Sequence, residues 1–395
     1  MANTPKIRFK NFSDEWVESR LGELGNILTG STPPTNISEL YDNNGIPWVT
    51  PTDITSNLIS KTCKRLSKKG ELVSRIVPSK TILVTCIASI GKNAMLLTRG
   101  SFNQQINSLT VNDNNDPYFM LTQSSLWSEQ MKKQAAQATM QIVNKTEFSN
   151  IKAYIPNLTE QEKIGAFFSK LDKLISLHQS KFEKLQKIKK SCLQNLFPQN
   201  NQNTPKIRFK NFSDEWVESR LGELGNILTG STPPTNISEL YDNNGIPWVT
   251  PTDITSNLIS KTCKRLSKKG ELVSRIVPSK TILVTCIASI GKNAMLLTRG
   301  SFNQQINSLT VNDNNDPYFM LTQSSLWSEQ MKKQAAQATM QIVNKTEFSN
   351  IKAYIPNLTE QEKIGAFFSK LDKLISLHQS KFEKLQKIKK SCLQN

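Results

Sequence analysis

The chain runs to 395 residues, with 50 Lys and Arg against 32 Asp and Glu, a net charge of +18, 37% hydrophobic and 21% charged residues. Such a composition suits a folded globular protein with enough length for two cores, and its basic excess favours an anionic polymer as partner. The longest apolar stretch, Thr81 to Ile90, is half a membrane span and contains polar residues. No basic-plus-apolar leader follows Met1, and one histidine per half, His178 or His378, leaves little room for His-based triads or metal sites.

Asn3 to Asn195 recurs unchanged as Asn203 to Asn395, an offset of 200, and only Met1-Ala2 and the joint Leu196–Gln202 lie outside the copies. That period is far too long for a stacked solenoid, so the chain is a duplicated domain. A recent duplication, a fusion, or two half-length chains joined by design would each give this identity. Each copy carries Cys63, Cys86 and Cys192 or their twins, with no Cys-x-x-Cys and an odd count, which predicts reduced, buried thiols in a cytoplasmic protein.

Within residues 1–157, short apolar runs alternate with turn signals: Gly30-Ser-Thr-Pro-Pro34, Asn43-Asn-Gly45, Lys69-Gly70 and the run from Asn112 to Pro117. Ile46–Thr50, Thr81–Thr85 and Ser108–Val111 have strand composition, and Tyr118 to Ala138 has helical spacing. A mixed α+β globule is predicted. Lys61, Lys64, Arg65, Lys68 and Lys69 put five cations into nine residues, with twins Lys261, Lys264, Arg265, Lys268 and Lys269. They are read as phosphate contacts rather than a solvated face. Asn103, Gln104 and Gln105, then Gln137 and Gln141, offer amides suited to adenine edges, as do Asn303, Gln304, Gln305, Gln337 and Gln341; a structural role for such amides stays open. The tryptophans are assigned to the core.

Residues 158–197 change texture, with many Lys, Glu, Gln and Leu and one glycine. Thr159 and Glu162 form a potential capping box. Ile164, Phe168, Leu171, Ile175, His178, Phe182 and Leu185 then recur at four-three spacing, followed by Ile188 or Lys189, Cys192 and Leu196. That is a coiled-coil seam, with the histidine fixing register at its middle. Its expected partner is the twin seam Ile364, Phe368, Leu371, Ile375, His378, Phe382 and Leu385. The connection favours antiparallel pairing with pseudo-two-fold symmetry. The predicted layout is a globule over 1–157, a spacer helix over 158–197, a linker over 198–202, a second globule over 203–357 and a second helix over 358–395. Such a helix is a rod of roughly 55 Å.

The ordered set Pro5–Phe12, Trp16, Leu21-Gly-Glu-Leu-Gly25, Gly30-Ser-Thr-Pro33, Ile46–Asp53, Ser89-Ile-Gly91 and Asn103-Gln104 resembles a target-recognition domain. Ile155-Pro-Asn-Leu-Thr-Glu-Gln-Glu-Lys-Ile164 and Leu171-Asp172 resemble the spacer helix of the same proteins, the specificity subunits of type I restriction–modification systems. The likeness covers essentially the whole chain twice, although that family normally carries two different recognition domains. It implies a non-catalytic subunit that reads a bipartite target on double-stranded DNA, here an interrupted palindrome. It also implies two modification (methyltransferase) subunits and restriction (motor and nuclease) subunits as partners. S-adenosylmethionine, ATP and Mg are then expected on those partners, and no cofactor or metal on this chain. A stand-alone two-fold DNA-binding protein or repressor, and a coiled-coil scaffold without a nucleic-acid role, are the alternatives.

Enzymatic motifs are wanting. Asn115-Asp-Pro-Tyr-Phe119 lacks the second proline of an adenine-gripping methyltransferase loop and reads as a turn that starts the helix at Tyr118. No Glu-x-Lys or Asp-x-Lys triplet and no phosphate-binding glycine loop occurs.

Overall fold

The computed structural model describes residues 5–137, 142–199, 202–337 and 342–394, except the side chains of Gln137 and Gln337. In the first copy the order is β1 (Val17–Arg20), α1 (Leu21–Leu24), β2 (Gly25–Thr29), a 3-10 turn (Ser38–Leu40), β3 (Tyr41–Val49), β4 (Leu58–Ile59), β5 (Lys64–Leu66), α2 (Lys68–Leu72) and β6 (Ile76–Val77). There follow β7 (Ile82–Thr85), β8 (Asn93–Leu96), β9 (Gly100–Phe102), β10 (Ile106–Val111), α3 (Pro117–Gln137), α4 (Lys145–Ser149), β11 (Lys152–Ile155) and α5 (Leu158–Asn195). The second copy repeats this with helices α6 (Leu221–Leu224), α7 (Lys268–Leu272), α8 (Pro317–Gln337), α9 (Lys345–Ser349) and α10 (Leu358–Gln394).

Three sheets build each globule: β2-β10-β7-β8-β4, β5-β3-β9-β6 and the pair β1-β11. The α+β class follows from the mixed pairing, since β4 runs parallel to β8 and β3 to β9 while the other pairs are antiparallel. The apolar run at Thr81–Cys86 is a strand covered on both faces. Ile82 and Val84 join Leu109, Phe119, Met120 and Trp127 under α3, whereas Leu83 joins Val49, Leu96 and Phe102 between the sheets. Alternation with period two sends neighbours to opposite cores, so a strand buried on both sides reads as one continuous apolar run.

The compact units do not coincide with the two copies of the sequence. Residues 1–178 and 381–395 form one, and 179–380 form the other. In unit 1, Asp172 of α5 faces Lys389 of α10 at 2.5 Å, while Ile164, Phe167 and Phe168 lie beside Cys392, Leu393 and Gln394. Rising numbers on one helix meet falling numbers on the other, so these segments are antiparallel. Unit 2 has the same arrangement, with Lys189 on Asp372 at 2.6 Å and Leu185, Cys192 and Leu193 packed against the cluster holding Ile364, Phe368 and Leu371. Along α5, the predicted seam positions Ile175, His178, Phe182 and Leu185 are half-buried. His378 is half-buried on α10. At the ambiguous step, Lys189 occupies the seam and Ile188 is exposed, because the ammonium finds the Asp372 carboxylate there.

The start of α5 differs from expectation. Asn157, not Thr159, caps it, its Oδ1 accepting the Glu160 amide at 3.0 Å. Glu160 is thereby free to turn inward, fully buried, and accept two hydrogen bonds of 2.8 Å from Arg8. The adjacent Gln161 accepts the Asp116 amide at 3.0 Å and donates to the Pro156 carbonyl at 2.9 Å. Asp116 in turn caps α3 through the Phe119 amide at 2.7 Å. These contacts account for the Glu-Gln pair in the motif: one residue holds the N-terminal segment, the other holds α3 to α5.

Asp172 is the second fastening. Beside Lys389, it accepts the Tyr118 hydroxyl at 2.9 Å and the Asn57 amide at 3.4 Å. Burial, with the nearby Asp172 charge, pushes the Tyr118 phenol well above its ordinary value. Changing Asp172 to Ala removes an ionised acceptor shared by three donors, and should destabilise unit 1 by about 2–3 kcal/mol. Chemical denaturation checks this; a loss below about 0.5 kcal/mol would reduce the carboxylate to a surface group.

The thiols depart from the uniform burial expected of them. Cys86 is buried, and that burial pushes its thiol up to about 12. Cys192 is only half-buried and Cys63 is exposed. Cys63 lies in the loop before β5, where its amide donates to Asp53 Oδ1 at 2.8 Å.

Candidate nucleic-acid interface

The predicted contact residues gather around the four-stranded sheet. Gly30 opens the first loop because only a glycine fits there: a Cβ would stand 2.1 Å from the Asn103 carbonyl oxygen. The Gly30 and Ser31 amides donate to Ile106 O and Phe102 O at 3.0 and 2.9 Å, and Trp48 Nε1 donates to Ser31 O at 3.1 Å. Ser31 Oγ accepts the Arg75 amide at 3.0 Å, and Tyr41 donates its hydroxyl to Pro33 O at 2.9 Å. Thr32 donates its hydroxyl to Gln104. Loop 30–34 and turn 103–105 are therefore one rigid edge.

The three predicted amides of that turn divide. Asn103 is buried, its Nδ2 bonded to Gln105 Oε1 and its Oδ1 accepting the Gln105 amide, each at 3.1 Å. It belongs to the scaffold. Gln105 is half-buried, while Gln104 is exposed and presents the polar face. The twins Asn303, Gln304 and Gln305 repeat this division. Gln141 and Gln341, with the side chains of Gln137 and Gln337, lie outside the described residues. Helix α3, which Gln137 ends, packs on the five-stranded sheet.

The cations differ in what holds them. Arg65 is half-buried and donates from Nε to Gly45 O at 2.7 Å. Lys64 is exposed and sits 5.3 Å above the Tyr41 ring, a cation–π contact that leaves its charge outward. Lys68 and Lys69 pair with Glu71 and Glu39 at 3.2 and 2.5 Å. Lys61 is exposed in the loop before β5. Glu71 also accepts Arg99 at 2.8 Å; that hydrogen bond foremost, with Lys68 assisting, holds its carboxyl below the ordinary range. At Asp53, partial burial pushes the carboxyl up, but hydrogen bonds from Thr50 and Cys63 prevail and hold it below its ordinary value.

One element of this surface was not anticipated as such. Asn43-Asn-Gly45, read as a turn, is a bulge inside β3: Tyr41 and Ile46 both pair with Leu66, so residues 42–45 bow out of the ladder. Gly45 permits it, since a Cβ would come within 1.8 Å of the Leu66 carbonyl oxygen. The exposed Asn43 and Asn44 are carried out of the ladder opposite Leu66, in the manner of bulges that re-aim side chains. The signal that would have found it is a hairpin dipeptide followed by Ile46-Pro-Trp-Val, a strand that continues instead of turning back.

Two deeply buried tryptophans, Trp48 and Trp127, bear out the assignment to the core, and Trp16 is half-buried. Among the described residues, no group of three or more His, Cys, Asp or Glu is placed to hold a metal ion. Among them, too, no helix is long and apolar enough to cross a membrane.

The family described as Type I restriction modification DNA specificity domain matches residues 13–189 and again 213–388. The MjaVIII type I restriction enzyme specificity subunit of Methanocaldococcus jannaschii is 22% identical over 402 aligned positions, covering 96% of this chain and 91% of that protein. The MjaIX specificity subunit of the same organism is 28% identical over 258 positions, which span 60% of this chain but only 57% of the relative. The crystal structure of a type I restriction–modification S subunit from M. genitalium has the same fold, with a TM-score of 0.70 at 15% identity over 99% of this chain and 98% of that one.

Proposed function

The chain belongs to the type I restriction–modification DNA specificity family, and from that premise we propose that it is the sequence-reading, non-catalytic subunit of a DNA methyltransferase and endonuclease complex. The observation that carries this reading is the edge built twice from loop 30–34, Gln104, the Asn43–Asn44 bulge and the outward cations Lys61 and Lys64. Amides suit base edges and lysines suit phosphates, so these groups together offer both kinds of contact. In this reading the methyltransferase subunits bring S-adenosylmethionine and the restriction subunits bring ATP and Mg. Leu174 and Leu177, nearly half exposed at 45% and 46% on α5, with Leu374 and Leu377 on α10, offer apolar surface for such partners.

Because the two copies are identical, both readers should prefer the same half-site. The expected target is an interrupted palindrome on double-stranded DNA. Methylome sequencing of cells expressing the chain with its modification subunit tests the reading: no new methylated motif would refute it, and two unrelated half-sites would refute the symmetry alone.

The interval between half-sites is assigned to α5 and α10, which the boundary between units cuts at 178/179 and 380/381. Inserting seven residues at both points adds about 10 Å of helix, equivalent to roughly three base pairs. Selection from a library of half-sites with varied gaps should recover a longer optimum; an unchanged gap with intact binding would assign the ruler elsewhere.

A further inference from the structure

Loop 86–92 leaves the five-stranded sheet at the same end as loop 30–34 and turn 103–105. Thr29, the last residue of β2, pairs with Asn107, and Thr85, the last of β7, pairs with Ile106 at the start of β10. The three connections therefore emerge side by side, and the Cys86 amide donates to Gln105 O at 2.7 Å. Loop 86–92 is held closed from within. Gly91 and Lys92 donate their amides to Thr85 O and Oγ1, each at 2.9 Å, and the Thr85 hydroxyl donates to Ser89 O. Ser128 of α3 donates its hydroxyl to Gly91 O at 2.6 Å, and Asn93 Nδ2 donates to Ser128 Oγ at 3.0 Å. Within this closed loop Ala88 stands in the left-handed region at φ 61°, as Ala288 does at 60°. A residue with a Cβ keeps that conformation only where its surroundings over-determine it, and such strain clusters at ligand clamps.

In the second copy this loop and α8 enclose a cleft of about 430 Å³, lined by Ser289, Ile290 and Lys292 on one side and by Lys332 and Ala335 on the other. Both lysines are exposed, and among the described residues neither meets a carboxylate, unlike Lys268 and Lys269. The Ser289 and Ile290 amides likewise meet no acceptor among the described residues. We propose that this cleft, and its twin between loop 86–92 and Lys132, each grip one phosphate of the DNA backbone beside the half-site being read. Two uncancelled ammonium groups supply the charge, and the amides of a strained turn supply short, fixed donors of the kind that cradle anions. The short side chain of Ala335 lets a sugar–phosphate unit come close. The inference rests on the DNA-reading assignment and adds to it a pair of contacts that set the position of the duplex without reading its sequence.

Binding of the full chain to a duplex bearing the motif recovered from its methylome, followed across a salt series, tests this. Lys92, Lys132, Lys292 and Lys332 are changed together to Gln; all four are exposed, and an unchanged circular dichroism melt checks that the fold is kept. Two phosphate contacts are then lost, so the log–log slope should fall by about 1.8 and binding at 0.15 M salt should weaken about 30-fold. Single-base variants of the motif should weaken by the same factor, because a phosphate carries no sequence. Lys133 and Lys333, exposed on the same helices beside the cleft lysines, are the control; their change to Gln should lower the slope by less than about 0.9, the share of one contact. Ethylation interference should mark one phosphate per half-site that matters to the wild-type chain and not to the quadruple variant. An unchanged slope, an effect no larger than the control's, an altered base preference or an unchanged interference pattern would each overturn the proposal and leave the DNA-reading assignment standing. A wild-type chain with no motif and no affinity for duplex would overturn both.

Discussion

Replacing Glu160 and Glu360 together by Ala is expected to lower the thermal midpoint of both units by about 6–20 °C. Each carboxylate is fully buried and is met by a two-pronged Arg8 or Arg208 at 2.7–2.8 Å, with the arginine side chain 14% exposed. Breaking a buried pair by removing one partner costs about 3–5 kcal/mol, since the other charge is left without its counterion. For a unit of this size, each kcal/mol moves the midpoint by roughly 2–4 °C. The control is the apolar exchange, Arg8→Met with Glu160→Met and the twin changes. It removes both charges and should recover most of the loss. Differential scanning calorimetry of the three proteins decides the matter. If the Ala variant shifts by less than about 3 °C, the N-terminal segment is held by Phe9 on Phe167 and Lys163 over Phe12 rather than by the ion pair.

Changing Lys61, Lys64, Lys261 and Lys264 to Gln should flatten the salt dependence of DNA binding by about 3.6 in log–log slope. Four phosphate contacts, each releasing about 0.9 of a counterion, would be lost. At 0.15 M salt, the same sum corresponds to a weakening on the order of 10³-fold. Changing Lys68, Lys69, Lys268 and Lys269 should do markedly less. Those ammonium groups already face Glu71, Glu39 and their twins, so their field at the DNA is partly cancelled. Anisotropy titrations of a target duplex across a salt series separate the two sets. Equal slopes for both variants would show that the Glu39 and Glu71 carboxylates and their twins let go of these lysines on binding.

What was legible in the sequence was what depends on period and order. The four-three spacing from Ile164 to Cys192 located the seam of α5, and the run at Thr81 located a core strand. The ordered motifs ending in Pro-x-x-x-Glu-Gln carried the family resemblance. What escaped depends on contacts between residues distant in the chain. Asn157 and Thr159 are both good cap residues; Asn157 takes the Glu160 amide, and the Glu160 side chain goes to Arg8, 152 positions away, a contact no local pattern reports. Asn43-Asn-Gly45 has the composition of a hairpin turn, yet β3 continues because Arg65 donates to the Gly45 carbonyl and holds the bulge closed. The five cations look alike in a string of letters. Only the fold shows that Glu39 reaches Lys69 and that Gly45 occupies Arg65. Likewise no local pattern reports that the last turns of each long helix pack on the globule the other copy builds.

That exchange of helix ends bears on how the molecule is made. Unit 2 is one uninterrupted stretch, 179–380, whereas unit 1 needs Lys381–Asn395 to complete it. On the ribosome, the 202 residues of unit 2 lie between His178 and Lys381, and at 5–20 residues per second that is a delay of roughly 10–40 s. Throughout that interval the first globule is finished in all but its final helix, and its Asp172 awaits Lys389. The half synthesised second is therefore the first able to close, and the half synthesised first remains open to chaperones and proteases until the segment from Lys381 onward has emerged.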